Sequence, residues 1–413
     1  MRAIDIRPVI APSRSKGNDA SNGSIADLSE YTLRTPSVGT LLEYQQMKAD
    51  NQASGGIFCL DAPMIHTGSG LELEEETPKS SLNRLPVGMS PFRGENFNVK
   101  LAVLDSGINL EHAAFRGVHL APGDRRSFVH SSEDDTDVTD RLGHGTYCAA
   151  LAVGRDVLNQ RIGVAPELRN LIVAKVIDED NRMATSLDIC DALRWAVSRG
   201  ADVVSLSFGI DFSRLMDRLV ETFDLPVNLA LKVAYAEMRD IENLFHHASS
   251  PAEPVGRSVK GALIFAASGN DSLLMADQLS KKAFSIPSDI PARIDGFNAV
   301  GSVPFYSSDT KSVPLSKFSN TPCDFATVGE RLVGASILGN DTLEDRSGTS
   351  GACAVMAGVA ALWWEYCRRR NAAVTADEVL SRMKNSAFAS PDVDCSISGK
   401  RQILALPPRT GDE

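Results

Sequence analysis

The sequence predicts an α/β fold of three layers, in which a mostly parallel β-sheet carries helices on both faces. From residue 98 onward, short apolar runs alternate with amphipathic segments, a pattern typical of parallel strands joined by helical crossovers. The apolar runs are nearly continuous, as is usual for strands buried on both faces. These two observations predict one large α/β domain.

The individual elements follow from the same patterns. Strands are predicted at 99–108, 171–177, 201–209, 261–270, 299–303, 332–335 and 401–406. Helices are predicted after His144, at 185–200, from Pro226 to beyond Phe245, from Ser350 onward and at 375–385. Residues 211–225 mix polar and apolar positions and predict no particular element.

Residues 1–94 form a region of different composition, rich in Ser, Gly, Asn and Pro, with an acidic run at 71–76. A strand at 4–10 and a helix at 37–48 are predicted, but no pattern indicates a compact core. We therefore expect a partly irregular N-terminal extension with a regulatory role at 1–94. The main domain is predicted at 95–408 and a short tail at 409–413.

The composition excludes several classes of protein. Of the 413 residues, 43% are hydrophobic and 23% charged, as in an ordinary globular protein, and the net charge of −11 argues against nucleic-acid binding. No apolar run approaches the roughly 18 residues that predict a membrane span, and the first residues lack the apolar core of a signal peptide. Seven cysteines without CxxC spacing argue against a disulfide framework or a zinc site. We expect a cytoplasmic protein that contacts no membrane.

Ser350 lies in the segment GTSGA, where a glycine-rich turn leads into an apolar, alanine-rich helix. A serine at a helix N-terminus is rigidly held, and the helix dipole stabilises negative charge that develops beside it. This is a suitable position for a nucleophile. Taken alone, however, an N-cap serine is the commoner explanation of such a stretch.

Two further segments carry residues that could activate that serine. Asp105 ends an apolar strand in VLDSG, and sites in parallel sheets collect at the carboxyl ends of strands. A turn-forming Asx residue is the alternative explanation. His144 stands between Gly143 and Gly145 at the start of an alanine-rich helix, where a core histidine would seldom need both glycines.

Asp105, His144, Asn270 and Ser350, in this order and in these segments, resemble the subtilisin-like serine proteases, the subtilases, over about residues 95–408. The resemblance implies a three-layer subtilisin-like fold and a serine endopeptidase. Asp105, His144 and Ser350 would be its catalytic triad and Asn270 would contribute to its oxyanion hole. The substrate would be a peptide or protein, and the extension is a candidate site for a regulatory partner.

The resemblance also assigns substrate-binding residues and raises the question of metals. The walls of the primary specificity pocket would be formed by two segments: Ser207, Phe208 and Gly209, and Ala266, Ala267 and Ser268. Structural calcium is frequent in the family, but no acidic loop with convincing ligand spacing is found. We expect that no cofactor is required. Ala354 stands where the family usually has a proline, a change that removes no catalytic atom.

Cys148 lies four residues after His144 and therefore on the same helix face. Some subtilases carry a free thiol beneath the catalytic histidine, which would make the enzyme sensitive to mercurials. A small buried hydrophobe is an equally good explanation.

Two other functions are alternatives to a serine protease. A catalytically silent subtilase fold could serve as a peptide-binding or scaffold module, but such a module would not need all four polar residues. An esterase would need a G-x-S-x-G segment, and GTSGA lacks the final glycine. Within the protease hypothesis, selective processing or regulatory proteolysis is favoured over general degradation.

Overall fold

The computed structural model describes residues 1–8, 31–54, 56–66, 92, 97–129, 134–178, 184–249, 261–274, 283–304 and 313–387. The strand predicted at 401–406, the acidic run at 71–76 and the tail at 409–413 lie outside these residues. In the described part the strands are β1 (Ala3–Pro8), β2 (Tyr31–Arg34), β3 (Ile57–Leu60), β4 (Met64–His66), β5 (Lys100–Asp105), β6 (Arg125–Ser127), β7 (Asn170–Lys175), β8 (Val203–Leu206), β9 (Phe208–Ile210), β10 (Leu263–Ala267), β11 (Asn298–Val303), β12 (Phe325–Val328), β13 (Leu332–Ala335) and β14 (Leu343–Arg346). The α-helices there are α1 (Leu41–Ala53), α2 (His144–Val153), α3 (Ser186–Ser198), α4 (Phe212–Phe223), α5 (Val227–Ser249), α6 (Thr349–Arg370) and α7 (Ala376–Ser386).

Among the residues described, the core is a seven-stranded sheet in the order β12-β11-β10-β8-β5-β7-β6. Every neighbouring pair is parallel, including β5 with β7 and β5 with β8 at the centre. Strands β5, β8 and β10 consist almost wholly of buried residues, because helices cover both faces. The predicted three-layer α/β fold is confirmed.

Helix α6 is the buried centre of one helical layer. It packs against β8, β10, β11 and β12 and against α2. The two helices approach closely at Gly358, where an added Cβ would lie 2.8 Å from the Ala152 carbonyl oxygen. Small side chains therefore let two helices share one face of the sheet.

Helices α3 and α5 pack on each other, and α3 contacts β5 and β7. Helix α3 begins at a capping box formed by Thr185 and Asp188. Helix α5 follows Pro226 and buries Ala234, Ile241 and Phe245 of the apolar stripe that predicted it, whereas Val227 and Leu231 of that stripe are exposed.

The described part of the extension is more ordered than its sequence suggests. Strands β2, β1 and β3 form an antiparallel sheet in that order, and α1 packs on β1 and β3. Tyr44 of α1 stacks on Phe58 of β3 with ring centroids 5.3 Å apart. Strand β3 rests on α5, more than 160 residues further along the chain, so this core is completed by the main domain. No local pattern in residues 1–94 could reveal that partner.

Several other segments differ from the sequence-based prediction, among them the edge strands β6 and β12 of the central sheet, which were not predicted. Residues 211–225 contain α4, an amphipathic helix that buries Leu215 and Leu219. The run 201–209 divides into β8, which lies in the central sheet, and β9, which leaves it. Strand β13 pairs with β14 in a separate antiparallel hairpin, because its register partner follows it directly in sequence.

Candidate active site

Asp105 and His144 are in direct contact at the carboxyl end of the sheet. Asp105 is the last residue of β5 and His144 the first residue of α2, and both are buried. The His144 Nδ1 and the Asp105 Oδ1 are 2.7 Å apart. This hydrogen bond fixes the orientation of the imidazole and leaves Nε2 as the nitrogen on the other side of the ring.

Two glycines allow this approach. Gly143 has a φ of 92°, a left-handed conformation that a side chain would strain. A Cβ on Gly145 would lie 2.3 Å from the Gly107 carbonyl oxygen and 3.2 Å from the Asp105 Cβ. Helix α2 can therefore reach the end of β5 only if position 145 has no side chain.

Asp140 is a further residue of this site that the sequence interpretation missed. Its buried carboxylate accepts hydrogen bonds from the backbone N–H groups of Gly143 (2.8 Å) and Thr146 (2.8 Å) and from the Ser106 hydroxyl (2.8 Å). Burial raises the pKa of Asp140, but these bonds outweigh it and lower the pKa overall. The Asp-x-x-Gly-His spacing was the signal that could have identified it. Asp140 thus joins the loop after β5 to the start of α2.

Burial and neighbouring charge shift the pKa of His144 in opposite directions. Burial lowers the pKa of the imidazole, but the Asp105 carboxylate and Cys148 outweigh burial and raise it well above its ordinary value. A proton taken up by this ring is therefore stabilised by its neighbour. That is the property required of a base that receives a proton during a reaction.

Cys148 lies beside the imidazole, with its Sγ 3.9 Å from both ring nitrogens of His144. Burial raises the pKa of this thiol. The geometry agrees with the expectation of a thiol next to the histidine, while mercurial sensitivity stays a prediction. Cys353 is a second buried thiol near the site; its Sγ donates to the Leu206 carbonyl oxygen at 3.4 Å, and burial raises its pKa to about 12.

Ser350 lies in the first turn of α6 and is buried. The preceding residue connects it to the segment after β10: the Thr349 backbone N–H and hydroxyl donate to the Asn270 Oδ1 at 2.9 Å and 3.0 Å. This pair of bonds holds the carbonyl side of the Asn270 amide at the start of α6. The next residue, Gly351, faces α2, since an added Cβ would lie 3.5 Å from the Tyr147 hydroxyl. The N-terminus of α6 therefore lies between α2 and the end of β10.

The two segments assigned to substrate binding follow adjacent strands of the sheet. Ser207, Phe208 and Gly209 continue from β8 into β9, whereas Ala266 and Ala267 end β10 and Ser268 follows that strand. In this structure β9 already has a partner, because β4 of the extension pairs with it in antiparallel register, Ile65 opposite Gly209. The extension thus covers the backbone of the strand expected to bind substrate.

The residues described hold one close cluster of metal-ligand types, Asp105, His144 and Cys148, whose ligand atoms lie within 4.8 Å of one another. One carboxylate, one imidazole and one thiol do not fit calcium, which takes six to eight oxygen ligands. The cluster is better explained by the hydrogen-bonded pair and its neighbouring thiol. In the same residues, no helix is both long and apolar enough to cross a membrane.

Comparison with known proteins gives the same assignment as the fold. A family model described as the subtilase family matches residues 96–404. The "Major intracellular serine protease" of Bacillus subtilis is 26% identical over 296 residues, covering 69% of this chain and 76% of that protein. The "Halolysin" of Haloferax mediterranei is 34% identical over 113 residues, covering 27% of this chain and 21% of that protein.

A third similarity is to a solved structure. The crystal structure of a cold adapted subtilisin-like serine proteinase has a TM-score of 0.49 and 21% identity, with 76% of this chain and 90% of that chain covered. Among the curated relatives the shared length varies. The chain spans 21% of the halolysin and 51% of the "Thermophilic serine proteinase" of a Bacillus species, less than two thirds of either.

A parallel three-layer fold with an aspartate–histidine pair at its carboxyl edge is the arrangement expected of a subtilisin-like serine protease. Within that class, a match of the family model to about three quarters of the sequence identifies the family directly. The chain belongs to the subtilase family.

Proposed function

We propose that the protein is a serine endopeptidase in which Ser350, His144 and Asp105 are the catalytic triad. The observation that carries the proposal is the 2.7 Å contact between the His144 Nδ1 and Asp105, at the edge of the sheet where α6 presents Ser350. With Nδ1 bonded to Asp105, Nε2 would be the nitrogen that takes the proton of the Ser350 hydroxyl. The family match supports the same chemistry.

The proposed reaction has two halves. In the first, the Ser350 Oγ attacks the carbonyl carbon of a peptide while His144 takes the hydroxyl proton. The C–N bond then breaks, His144 returns the proton to the leaving amine, and an acyl-enzyme remains. In the second half water attacks the ester, His144 again takes and returns a proton, and a carboxylic acid leaves.

Asn270 is proposed to stabilise the oxyanion formed in both halves. Its Oδ1 is held by Thr349, so the amide nitrogen is the group able to donate to a negative oxygen. The backbone N–H of Ser350, at the positive end of α6, would be the second donor.

Labelling with a fluorophosphonate probe tests the nucleophile. Covalent labelling of the full chain is expected, and Ser350→Ala is expected to abolish it and to lower kcat by about 10⁶. Ser347→Ala is the matched control, because Ser347 lies in the same segment but accepts a hydrogen bond from the Arg331 backbone N–H at 2.9 Å. Labelling that persists in Ser350→Ala would overturn the assignment.

We also propose that the extension restrains the active site of the same chain. The antiparallel pairing of β4 with β9 supports this role, since an extended peptide substrate would pair with that strand in the same way. Substrate would then have to displace β4. A regulatory partner that binds the extension could relieve this restraint.

The proposed setting is the cytoplasm, with selective processing or regulatory proteolysis as the biological role. The cysteines at positions 59, 148, 190, 353 and 367 are free thiols. One relative is named an intracellular serine protease. Another is named a calcium-dependent protease, and on that ground we include a structural calcium ion in the proposal. The catalytic steps proposed here require no metal.

A catalytically silent peptide-binding module is the second candidate. The pairing of β4 with β9 favours it, because peptide binding alone would explain a strand surface that accepts an extended segment. Labelling distinguishes the two. A chain that reacts with the probe through Ser350 is an enzyme, whereas a module would bind peptide without reacting.

A further inference from the structure

The carboxylate of Asp289 lies between the two segments assigned to the walls of the specificity pocket. A Cβ added to Gly209, in β9, would be 2.8 Å from the Asp289 Oδ2. A Cβ added to Gly269, directly before Asn270, would be 2.5 Å from the same oxygen. The carboxylate therefore occupies space that is open only because Gly209, in the first segment, and Gly269, directly after the second, have no side chain.

The backbone and the side chain of Asp289 have separate surroundings. Its backbone N–H donates to the Ser268 carbonyl oxygen at 2.9 Å, and its carbonyl oxygen accepts from the Arg293 backbone N–H at 3.0 Å. These bonds hold the loop against the end of β10. In the part of the chain that the structure describes, the carboxylate itself has no hydrogen bond and no ion pair. Loop structure alone does not account for an acidic side chain here.

Two charged neighbours face this carboxylate. Asp271, just after Asn270, repels it, while Arg293 attracts it but is itself paired with Glu242 at 2.6 Å. Burial and Asp271 outweigh Arg293 and raise the pKa of Asp289 to about 7. A half-buried carboxylate without a partner is costly, and a cation placed beside it would remove that cost.

We propose that Asp289, assisted by Asp271, makes the specificity pocket select lysine or arginine as the residue whose carbonyl carbon is attacked by Ser350. A long cationic side chain entering between the two walls would end near the carboxylates and pair with them. This inference rests on the proposed protease function and gives that function a substrate class. Asp289 would determine specificity without taking part in the bond-breaking steps.

Two peptidyl diphenyl phosphonates that differ only in the residue next to phosphorus, lysine or leucine, provide the test. Both form a covalent bond with a reactive serine, so the ratio of their second-order labelling rates measures the preference of the pocket. Because β4 must be displaced for either probe, its effect cancels in the ratio. The full chain is expected to favour the lysine probe, and Asp289→Asn is expected to reduce the ratio about 100-fold.

Two further variants test whether the change in the labelling ratio is specific to the charge of Asp289. Asp324→Asn is the matched control, because Asp324 is also a half-buried carboxylate with a raised pKa but precedes β12, at the opposite edge of the sheet. The ratio is expected to stay constant in this control. Asp289→Glu keeps the charge and is expected to keep a preference for lysine.

The outcomes separate the two proposals. A leucine preference in the full chain, or an unchanged ratio in Asp289→Asn, overturns the role of Asp289 while labelling itself still supports the protease. A purely structural role would lower both labelling rates together and leave the ratio intact, which also overturns it. Labelling by neither probe overturns the proposed function, and this inference with it.

Discussion

At the residue scale, the pKa and the orientation of the His144 imidazole are determined by the groups around it. The same buried position that lowers its pKa brings it to 2.7 Å from Asp105, and the carboxylate together with Cys148 outweighs burial and raises the pKa. Asp140 does not contact the imidazole through these bonds; it accepts hydrogen bonds from the backbone of Gly143 and Thr146 and so holds the start of α2, where His144 is the first residue. Substituting Asp105 or Asp140 is therefore expected to change the pKa or the position of the His144 imidazole.

Asn270→Ala is expected to lower kcat by about 10² to 10³ with a smaller change in KM, because an oxyanion donor acts mainly in the transition state. Steady-state kinetics on a peptide substrate would measure both constants. Ser272→Ala, two residues away in the same segment, serves as a control for disturbance of the loop. An unchanged kcat in Asn270→Ala would show that this amide does not stabilise the oxyanion.

The preference for a lysine probe over a leucine probe is expected to depend on pH. The pKa of Asp289 is raised to about 7, so the carboxyl group is mostly neutral below that pH and ionised above it. The ratio of lysine to leucine labelling should therefore rise several-fold between about pH 6 and about pH 8.

Both probes require the same form of His144, so its titration cancels in that ratio. The charged groups facing Asp289 are Asp271, which raises its pKa, and Arg293, which lowers it. Asp271→Asn should accordingly shift the midpoint of the ratio to lower pH. A ratio that does not vary with pH would contradict the titration of Asp289 in this range.

At the scale of elements, the docking of the extension depends on α3. Asp61, between β3 and β4, has a buried carboxylate that accepts from the Ser186 hydroxyl and the Leu187 backbone N–H, each at 3.2 Å. It thus caps the N-terminus of α3 from outside that helix, and it also pairs with Arg2. Strand β4 begins three residues later, so the cap positions it beside β9.

Asp61→Ala is expected to weaken this docking and to raise the labelling rate of Ser350 by about tenfold or more, since charged hydrogen bonds contribute about 1.5–3 kcal/mol each. The rate with a fluorophosphonate, compared with that of the unaltered chain, measures the effect. Asp50→Ala, at an exposed position of α1, is the control and should leave the rate unchanged. A rate that falls or stays constant in Asp61→Ala would argue against restraint by the extension.

At the scale of the whole molecule, the extension and the main domain share one hydrophobic core. A buried polar cluster lies within it: Lys48 of α1 is 2.7 Å from Glu237 and 2.6 Å from Asp240, both on α5, and Tyr44 donates to Glu237. Burial and the acidic residues raise the pKa of the Tyr44 hydroxyl far above its ordinary value. The cluster fixes α1 on α5 and with it the position of the extension.

Lys48→Ala is expected to lower the free energy of unfolding by about 3 kcal/mol, because two buried carboxylates lose their cation. Urea titration followed by circular dichroism would measure the change. Lys232→Ala is the matched control: Lys232 is exposed on the same helix as both carboxylates. Equal stability of the two variants would show that the Lys48 cluster contributes no net stabilisation.

The sequence alone was sufficient to predict the fold class and to identify the types of residue expected at the candidate site. Alternating apolar runs and helical patterns are local properties, so α3, α5 and the parallel strands β5, β7, β8, β10 and β11 could be predicted from them. The short edge strands β6 and β12 were not predicted. The residues Asp105, His144, Asn270 and Ser350 were identified because each stands in a distinctive glycine-containing segment. Their assignment to catalysis remains a prediction that the labelling experiments test.

Only the tertiary structure decided how distant segments meet. The pairing of β4 with β9, the cap that Asp61 supplies to α3 and the position of Asp289 between Gly209 and Gly269 join residues 20 to 146 positions apart. Such contacts depend on how layers pack and on which backbone groups are brought together. Local sequence patterns report the burial periodicity of one segment and contain no information about its distant partner.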